Sequence, residues 1–190
     1  MFPYNDDIQS CLATLEKGGL ILYPTDTVWG IGCDATNQDA VKRIFELKKR
    51  VDTKAMIVLV ESESSILEYV NVNELQIFDY IKGIHKPTTV IYQNAKNLAA
   101  NLLAADGSIA IRVCKNKFCQ TLIQQFGKPI VSTSANISTY PTPLCFNDIS
   151  LDIIEGVDYV VKYRQEETEI QQPSSIVKWD QDGKLVIIRH

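Results

Sequence analysis

The sequence is poor in the groups from which many enzyme active sites are built. Its two histidines, His85 and His190, have no metal-ligand spacing near either of them. It has no GxxxxGK followed by Ser or Thr and no GxGxxG, which argues against a P-loop and a dinucleotide fingerprint. It has no GxSxG elbow, and Ser132 and Ser134 lack an evident base, which disfavours a Ser-His-Asp hydrolase. The five cysteines (Cys11, Cys33, Cys114, Cys119, Cys145) are odd in number and form no CxxC pair. They read as free thiols in a reducing compartment, most of them with packing roles. No apolar run approaches the roughly 20 residues that span a bilayer. The opening "MFPYNDD" lacks the basic and then apolar pattern of an export signal. A cytoplasmic protein with no membrane partner is therefore expected.

What is present suits one ordinary globular unit. The 190 residues are 45% hydrophobic and 22% charged with a formal net charge of −4, enough for a real core and for a single domain over residues 1–190. The acidic balance disfavours a general nucleic-acid coat. Helical spacing predicts helices over Asp6–Lys17, Gln38–Lys49, Ser64–Tyr69, Glu74–Ile81, Lys117–Phe126 and Asn147–Ile154. Strands are predicted at Leu20–Tyr23, Ala55–Val60, Thr89–Tyr92, Ser108–Val113, Pro129–Ser132, Val157–Tyr163, Ser175–Trp179 and Lys184–Arg189. The last two flank "DQDG", whose Asp182-Gly183 suits a tight hairpin. "TDTVWGIGCDATN" reads as a polar loop, and 94–107 as an unassigned connection. The alternation predicts an α/β fold with a twisted, mixed β-sheet flanked by helices.

Polar residues then collect where a core has no use for them. In "GKPIVSTSANIS", a short apolar strand runs straight into Ser132, Thr133, Ser134 and Asn136. If the chain stays extended, Ser132, Ser134 and Asn136 share a face. In "SIAIRVC", Ile109, Ile111 and Val113 share one face and Ser108, Ala110 and Arg112 the other. That second face suits the lining of a cavity; the plainer alternative is the solvated face of an edge strand. The second helix carries Val41, Ile44 and Phe45 on its buried stripe, and the next position on that stripe is Lys48. Between 42 and 54 stand six cations (Lys42, Arg43, Lys48, Lys49, Arg50, Lys54). The helix dipole accounts for Lys48 and Lys49 but not for Arg50 and Lys54. Together these residues describe a concave site for an anion, with a polyphosphate the natural guest and Arg112 suited to a carboxylate. Binders outnumber acid–base groups, which points to catalysis by positioning and charge stabilisation.

"YPTDTVWGIGCDA" (Tyr23–Ala35), "KKR" (Lys48–Arg50), "SIAIRV" and "VSTSANIS" occur in the order and rough spacing of the YrdC-like family, the threonylcarbamoyl-AMP synthases of tRNA modification, and the resemblance runs from about residue 18 to 189. Its most specific element is a K-x-R with a distant S-x-N, matched by Lys48, Arg50, Ser134 and Asn136, which the resemblance marks as the catalytic set. It implies a twisted α/β fold with a large basic cavity. It also implies an enzyme that combines L-threonine, bicarbonate or CO2, and ATP into threonylcarbamoyl-AMP with release of pyrophosphate. A separate complex would then transfer the threonylcarbamoyl group to tRNA, giving t6A. Carried over by position, Thr27, Arg112, Ser132 and Ser174 would bind threonine. Arg50, Lys54, Ser108, Ser134, Thr142 and Arg189 would contact ATP, with Mg2+ held mainly through the phosphates.

The sequence departs from the family at "HKPTTV", which lacks a glycine, at Thr139 in place of a glycine, and at Leu59, where a histidine often stands. Three alternatives stay open: an inactive paralogue, a non-catalytic module that binds double-stranded RNA or tRNA, and a nucleotide-binding protein that ignores threonine. Thr25 and Thr27 have a bracing role as their plainer reading, Trp29 a packing role, and Asp26 and Asp34 the organisation of turns.

Overall fold

The computed structural model describes residues 2–50, 56–71, 76–169, 172–179 and 185–189. The strands, in chain order, are β1 (Ile21–Tyr23), β2 (Gly30–Gly32), β3 (Ile57–Val60), β4 (Thr88–Tyr92), β5 (Ile109–Val113), β6 (Ile130–Ser134), β7 (Tyr159–Val160), β8 (Ser175–Trp179) and β9 (Leu185–Arg189). Among the described residues they form one sheet in the order β7-β1-β2-β6-β3-β5-β4-β8-β9. The pairs β1–β7, β3–β5 and β4–β8 are parallel and the others antiparallel, so the mixed α/β sheet expected from the sequence is present.

The helices are α1 (Asn5–Glu16), α2 (Gln38–Leu47), α3 (Ile66–Tyr69), α4 (Gln76–Gly83), α5 (Lys117–Phe126) and α6 (Leu151–Gly156). Their ends follow local chemistry. The Asn37 side chain accepts from the N–H groups of Asp39 and Ala40 to start α2, and Asn116 accepts from Cys119 to start α5. Gly127 closes α5 at φ 69°, a conformation that favours glycine. Helix α1 buries Ile8, Cys11 and Leu15, and α5, which packs against it, buries Phe118, Cys119, Leu122 and Ile123. The five cysteines are unpaired, and burial pushes the Cys114 thiol up to about 12, as befits a packing group. No helix among the described residues is long and apolar enough to cross a membrane.

The structure corrects the sequence reading in four places. Strand β2 lies inside the stretch read as a loop. Gly32 is a steric requirement, since a Cβ there would sit 2.6 Å from Tyr23 Cε1 and 2.7 Å from the Val131 carbonyl oxygen. The strand expected over Val157–Tyr163 shortens to Tyr159–Val160. The helix expected over Asn147–Ile154 splits into a 3-10 turn at Phe146–Asp148 and α6. Strand β5 lies between β3 and β4 and is buried along its whole length, which removes the solvated edge strand as an alternative. Lys54 and the Asp182-Gly183 turn lie outside the described residues.

Candidate active site

The register of the sheet gathers the unusual polar groups. Ile57 on β3 pairs with Ser132 on β6 and with Ala110 on β5, and Ala110 pairs with Ile91 on β4. These four residues form a row across the sheet, and all of them line one cavity of about 720 Å³. That volume is in the range of small-molecule sites. Two residues along the strands, Arg112 and Ser134 point into the same space. Thr27, Trp29 and Gly30 come from the loop before β2 and its start, Arg50 from just past α2, and Thr142 from the loop after β6. Ser174 and Arg189 come from β8's approach and β9's end. Three arginines and several hydroxyls therefore face one space, and no acidic side chain lines it among the described residues.

The cations are held in different ways. Lys48 is 2% exposed. Its Nζ donates to the carbonyl oxygens of Ser134 and Asn136, each at 2.5 Å, and reaches Asn136 Oδ1 at 3.5 Å. Its own carbonyl oxygen accepts from the Ser138 N–H at 3.0 Å. Burial, and secondarily the charge of Arg50, pull the Lys48 ammonium down to about 7. Asn136 completes the turn: its Oδ1 accepts from Ser134 Oγ at 2.6 Å, and its Nδ2 donates to the carbonyl oxygens of Ile137 and Tyr140. Lys48 and Asn136 thus shape the loop and are not on the cavity wall, while Arg50 and Ser134 are. Arg50 Nη1 approaches Thr133 Oγ1 at 3.5 Å.

Arg112 is 3% exposed and lies 3.1 Å from Asp26, whose side chain is 8% exposed. Arg189 donates to the Ser174 carbonyl oxygen at 3.1 and 2.8 Å, and burial and the nearby Arg112 charge lower its pKa. The Ser174 hydroxyl shares a 2.8 Å hydrogen bond with Thr89 on β4, which fixes the segment leading into β8.

Of the candidate residues, Thr27, Arg50, Arg112, Ser132, Ser134, Thr142, Ser174 and Arg189 converge on this cavity. Ser108 is buried at the start of β5 and does not line it. Thr25 braces the loop, with its Oγ1 sharing a hydrogen bond with Thr27 Oγ1 at 3.0 Å and donating to the Val28 carbonyl oxygen. Trp29 packs on Phe146 at 4.9 Å between ring centroids while one part of it lines the cavity. The cation run from 42 to 54 is not one wall: Lys42 lies 3.8 Å from Glu46, and Arg43 pairs with Asp158 at 2.8 Å. Asp26 was missed as a partner of Arg112. Nothing in the local sequence signals a contact between a loop residue and a strand 86 positions later. A second cavity of about 910 Å³ is lined largely by residues between 135 and 144 and shares Thr142 with the first.

Comparison with known proteins adds an independent line. The Sua5/YciO/YrdC family model, described as telomere recombination, matches residues 13–190. The threonylcarbamoyl-AMP synthase of Pseudoalteromonas translucida is 34% identical over 157 residues, 81% of this chain and 84% of that protein. That of Vibrio parahaemolyticus is 30% identical over 175 residues, 90% of this chain and 93% of that protein. Among solved structures, P. abyssi Sua5 complexed with L-threonine has a TM-score of 0.86 at 24% identity, covering 96% of this chain and 53% of that one, so this chain spans about half its length. E. coli YciO has a TM-score of 0.85 at 23% identity, covering 100% of this chain and 91% of that one. At those identities the structural likeness speaks for the fold.

Proposed function

This chain belongs to the Sua5/YciO/YrdC family, and from that premise we propose that it is a threonylcarbamoyl-AMP synthase, an enzyme of the nucleotidyltransferase type. It takes L-threonine, bicarbonate or CO2, and ATP, and it releases pyrophosphate. The observation that carries this reading is the convergence of Arg112, Ser132, Ser134, Ser174, Arg50 and Arg189, from several elements, on one cavity with no acidic lining residue among the described residues.

The chemistry asks for positioning more than for a base. The amine of threonine takes up CO2 and loses a proton to give a carbamate. A carbamate oxygen attacks the α-phosphorus of ATP, the bond to the β-phosphate oxygen breaks, and pyrophosphate leaves. Arg112 holds the threonine carboxylate beside Ser132, Thr27 and Ser174. Arg50, Arg189, Ser134 and Thr142 hold the nucleotide, with Lys54 and Ser108 as the further contacts that the resemblance implies. Confining both substrates in a common cavity replaces a three-body encounter with one geometry, and the arginines offset charge that builds on the phosphates.

Mg2+ belongs to this scheme as part of the nucleotide. No group of three or more His, Cys, Asp or Glu fit to hold a metal exists among the described residues. Mg2+ would be held through phosphate oxygens and water and would supply charge neutralisation of the pyrophosphate leaving group. The product is an activated threonylcarbamoyl group, so a transfer complex that modifies tRNA is the downstream partner, and the cytoplasm is the compartment.

The test is pyrophosphate release from ATP with bicarbonate, with and without L-threonine, for the wild type and Arg112→Ala. Release that needs threonine and collapses in the variant supports the reading. Threonine-independent behaviour in a folded protein that still binds ATP sinks it and leaves a nucleotide-binding protein of the same fold.

A further inference from the structure

Asp26 sets the net charge at one end of the cavity. It lies 3.1 Å from Arg112, and with side chains 8% and 3% exposed little water screens the pair. The contact is not aligned as a hydrogen bond: Asp26 Oδ1 and the Nε and Nη2 of Arg112 are buried without a hydrogen-bond partner among the described residues. Asp26 is itself held, since its Oδ2 accepts from the Lys115 backbone N–H at 3.2 Å. Lys115 lies in the turn that follows β5, the strand that carries Arg112. The acid therefore offsets the guanidinium charge of an arginine that lines the cavity. Arg189, on the same cavity, is arranged differently. Its Nε and Nη2 donate to a neutral carbonyl oxygen, and no ion pair to Arg189 occurs among the described residues.

We propose that Asp26 is a specificity-determining positioning residue: by neutralising Arg112 in place, it makes that end of the cavity a carboxylate subsite that rejects phosphate. The proposal rests on the threonine reading above and explains how two anionic substrates are sorted within one space. A carboxylate adds only one negative charge to a neutral pair. A phosphate brings up to about two negative charges, which the pair does not offset and which the Asp26 carboxylate, 3.1 Å from Arg112, repels through little screening water. Phosphates are turned toward the Arg50 and Arg189 side. Without the acid, Arg112 would be a full cation, and ATP or pyrophosphate would compete for the seat of the amino acid.

The experiment is calorimetric titration with L-threonine and with inorganic phosphate, alone and in competition, on the wild type, Asp26→Asn and the double variant Asp26→Asn/Arg112→Ala. In the wild type, phosphate leaves threonine in place. In Asp26→Asn, phosphate gains about tenfold or more in affinity and displaces threonine, and the double variant loses that gain. A damaged fold does not create a tighter phosphate site, so this readout separates charge sorting from a structural role. Phosphate that competes with threonine in the wild type overturns the proposal, and that arm requires no variant to fold. Unchanged phosphate binding in folded Asp26→Asn overturns it as well. A wild type that binds no threonine, with the phosphate gain still present in Asp26→Asn, refutes the threonine reading and leaves the charge cancellation standing.

Discussion

The two ends of the cavity hold their arginines in opposite ways. Arg112 sits in β5, a strand covered by β3 on one side and β4 on the other, and it is buried against an acid. Arg50 and Arg189 sit where elements stop: Arg50 just beyond α2, its N–H donating to the Phe45 carbonyl oxygen at 3.0 Å, and Arg189 at the end of the outermost strand. The hydroxyls follow the same division, with Ser132 inside β6 and Ser134 and Thr142 at its end or beyond. A charge fixed by the centre of a sheet suits a small ligand of constant shape. Charges on segment ends can follow a larger and more highly charged one.

The largest effect expected from breaking this contrast is at the fixed end. Arg112→Ala removes the carboxylate clamp and strands Asp26 in a dry site. Threonine-dependent pyrophosphate release should fall by about 100-fold or more. Chemical denaturation should show a stability loss of about 3 kcal/mol. The double variant Asp26→Ala/Arg112→Ala should recover part of the stability and none of the activity. Equal stability loss in the single and double variants would mean that the ion pair is not what the fold depends on.

At the other end the effect should be smaller and different in kind. Arg50→Ala removes one of several groups directed at the nucleotide, so ATP affinity should fall by about tenfold. Threonine affinity, measured without nucleotide, should stay within about twofold on the same reasoning, because Arg50 is not part of the Arg112 subsite. A parallel loss of threonine affinity would show that the two ends are one continuous site and would remove the contrast.

How far the site was legible in the sequence follows the same division. Alternation along "SIAIRV" was enough to set Ala110 and Arg112 on one face, because a strand has a fixed period of two. Helical spacing was enough to direct Lys48 inward, and it is almost fully buried. What periodicity cannot reach is partnership across the fold. The Asp26–Arg112 pair joins a loop to a strand far along the chain. Strand β2 was hidden because its "GIG" has the composition of a loop, and the reason Gly32 lacks a side chain, the close approach of Tyr23 and Val131, exists only after the sheet has formed. The K-x-R and S-x-N residues were found as a set, yet they divide in the structure into two that face the cavity and two that hold the loop.

That division leads to the smallest effect, which is one of pH. Lys48 offers three N–H donors to three oxygens of the Ser134–Asn136 turn while it is charged. Its folded pKa is about 7, so deprotonation near neutrality leaves two donors for three acceptors and loosens the turn that presents Ser134. Threonine-dependent activity should therefore fall a few-fold as pH rises through about 7, relative to a Lys48→Arg variant that keeps its charge. Stability should move the other way. The unfolded side chain holds its proton up to about 10.5 and the folded one only to about 7, so over that window the unfolded state binds more protons. The penalty of burying the ammonium is complete below about 7 and disappears as pH rises to the unfolded value. Activity that declines while the Lys48 contribution to stability improves would mark a lysine that works through the loop. Activity and stability that rise or fall together would return Lys48 to the cavity wall as a direct phosphate ligand.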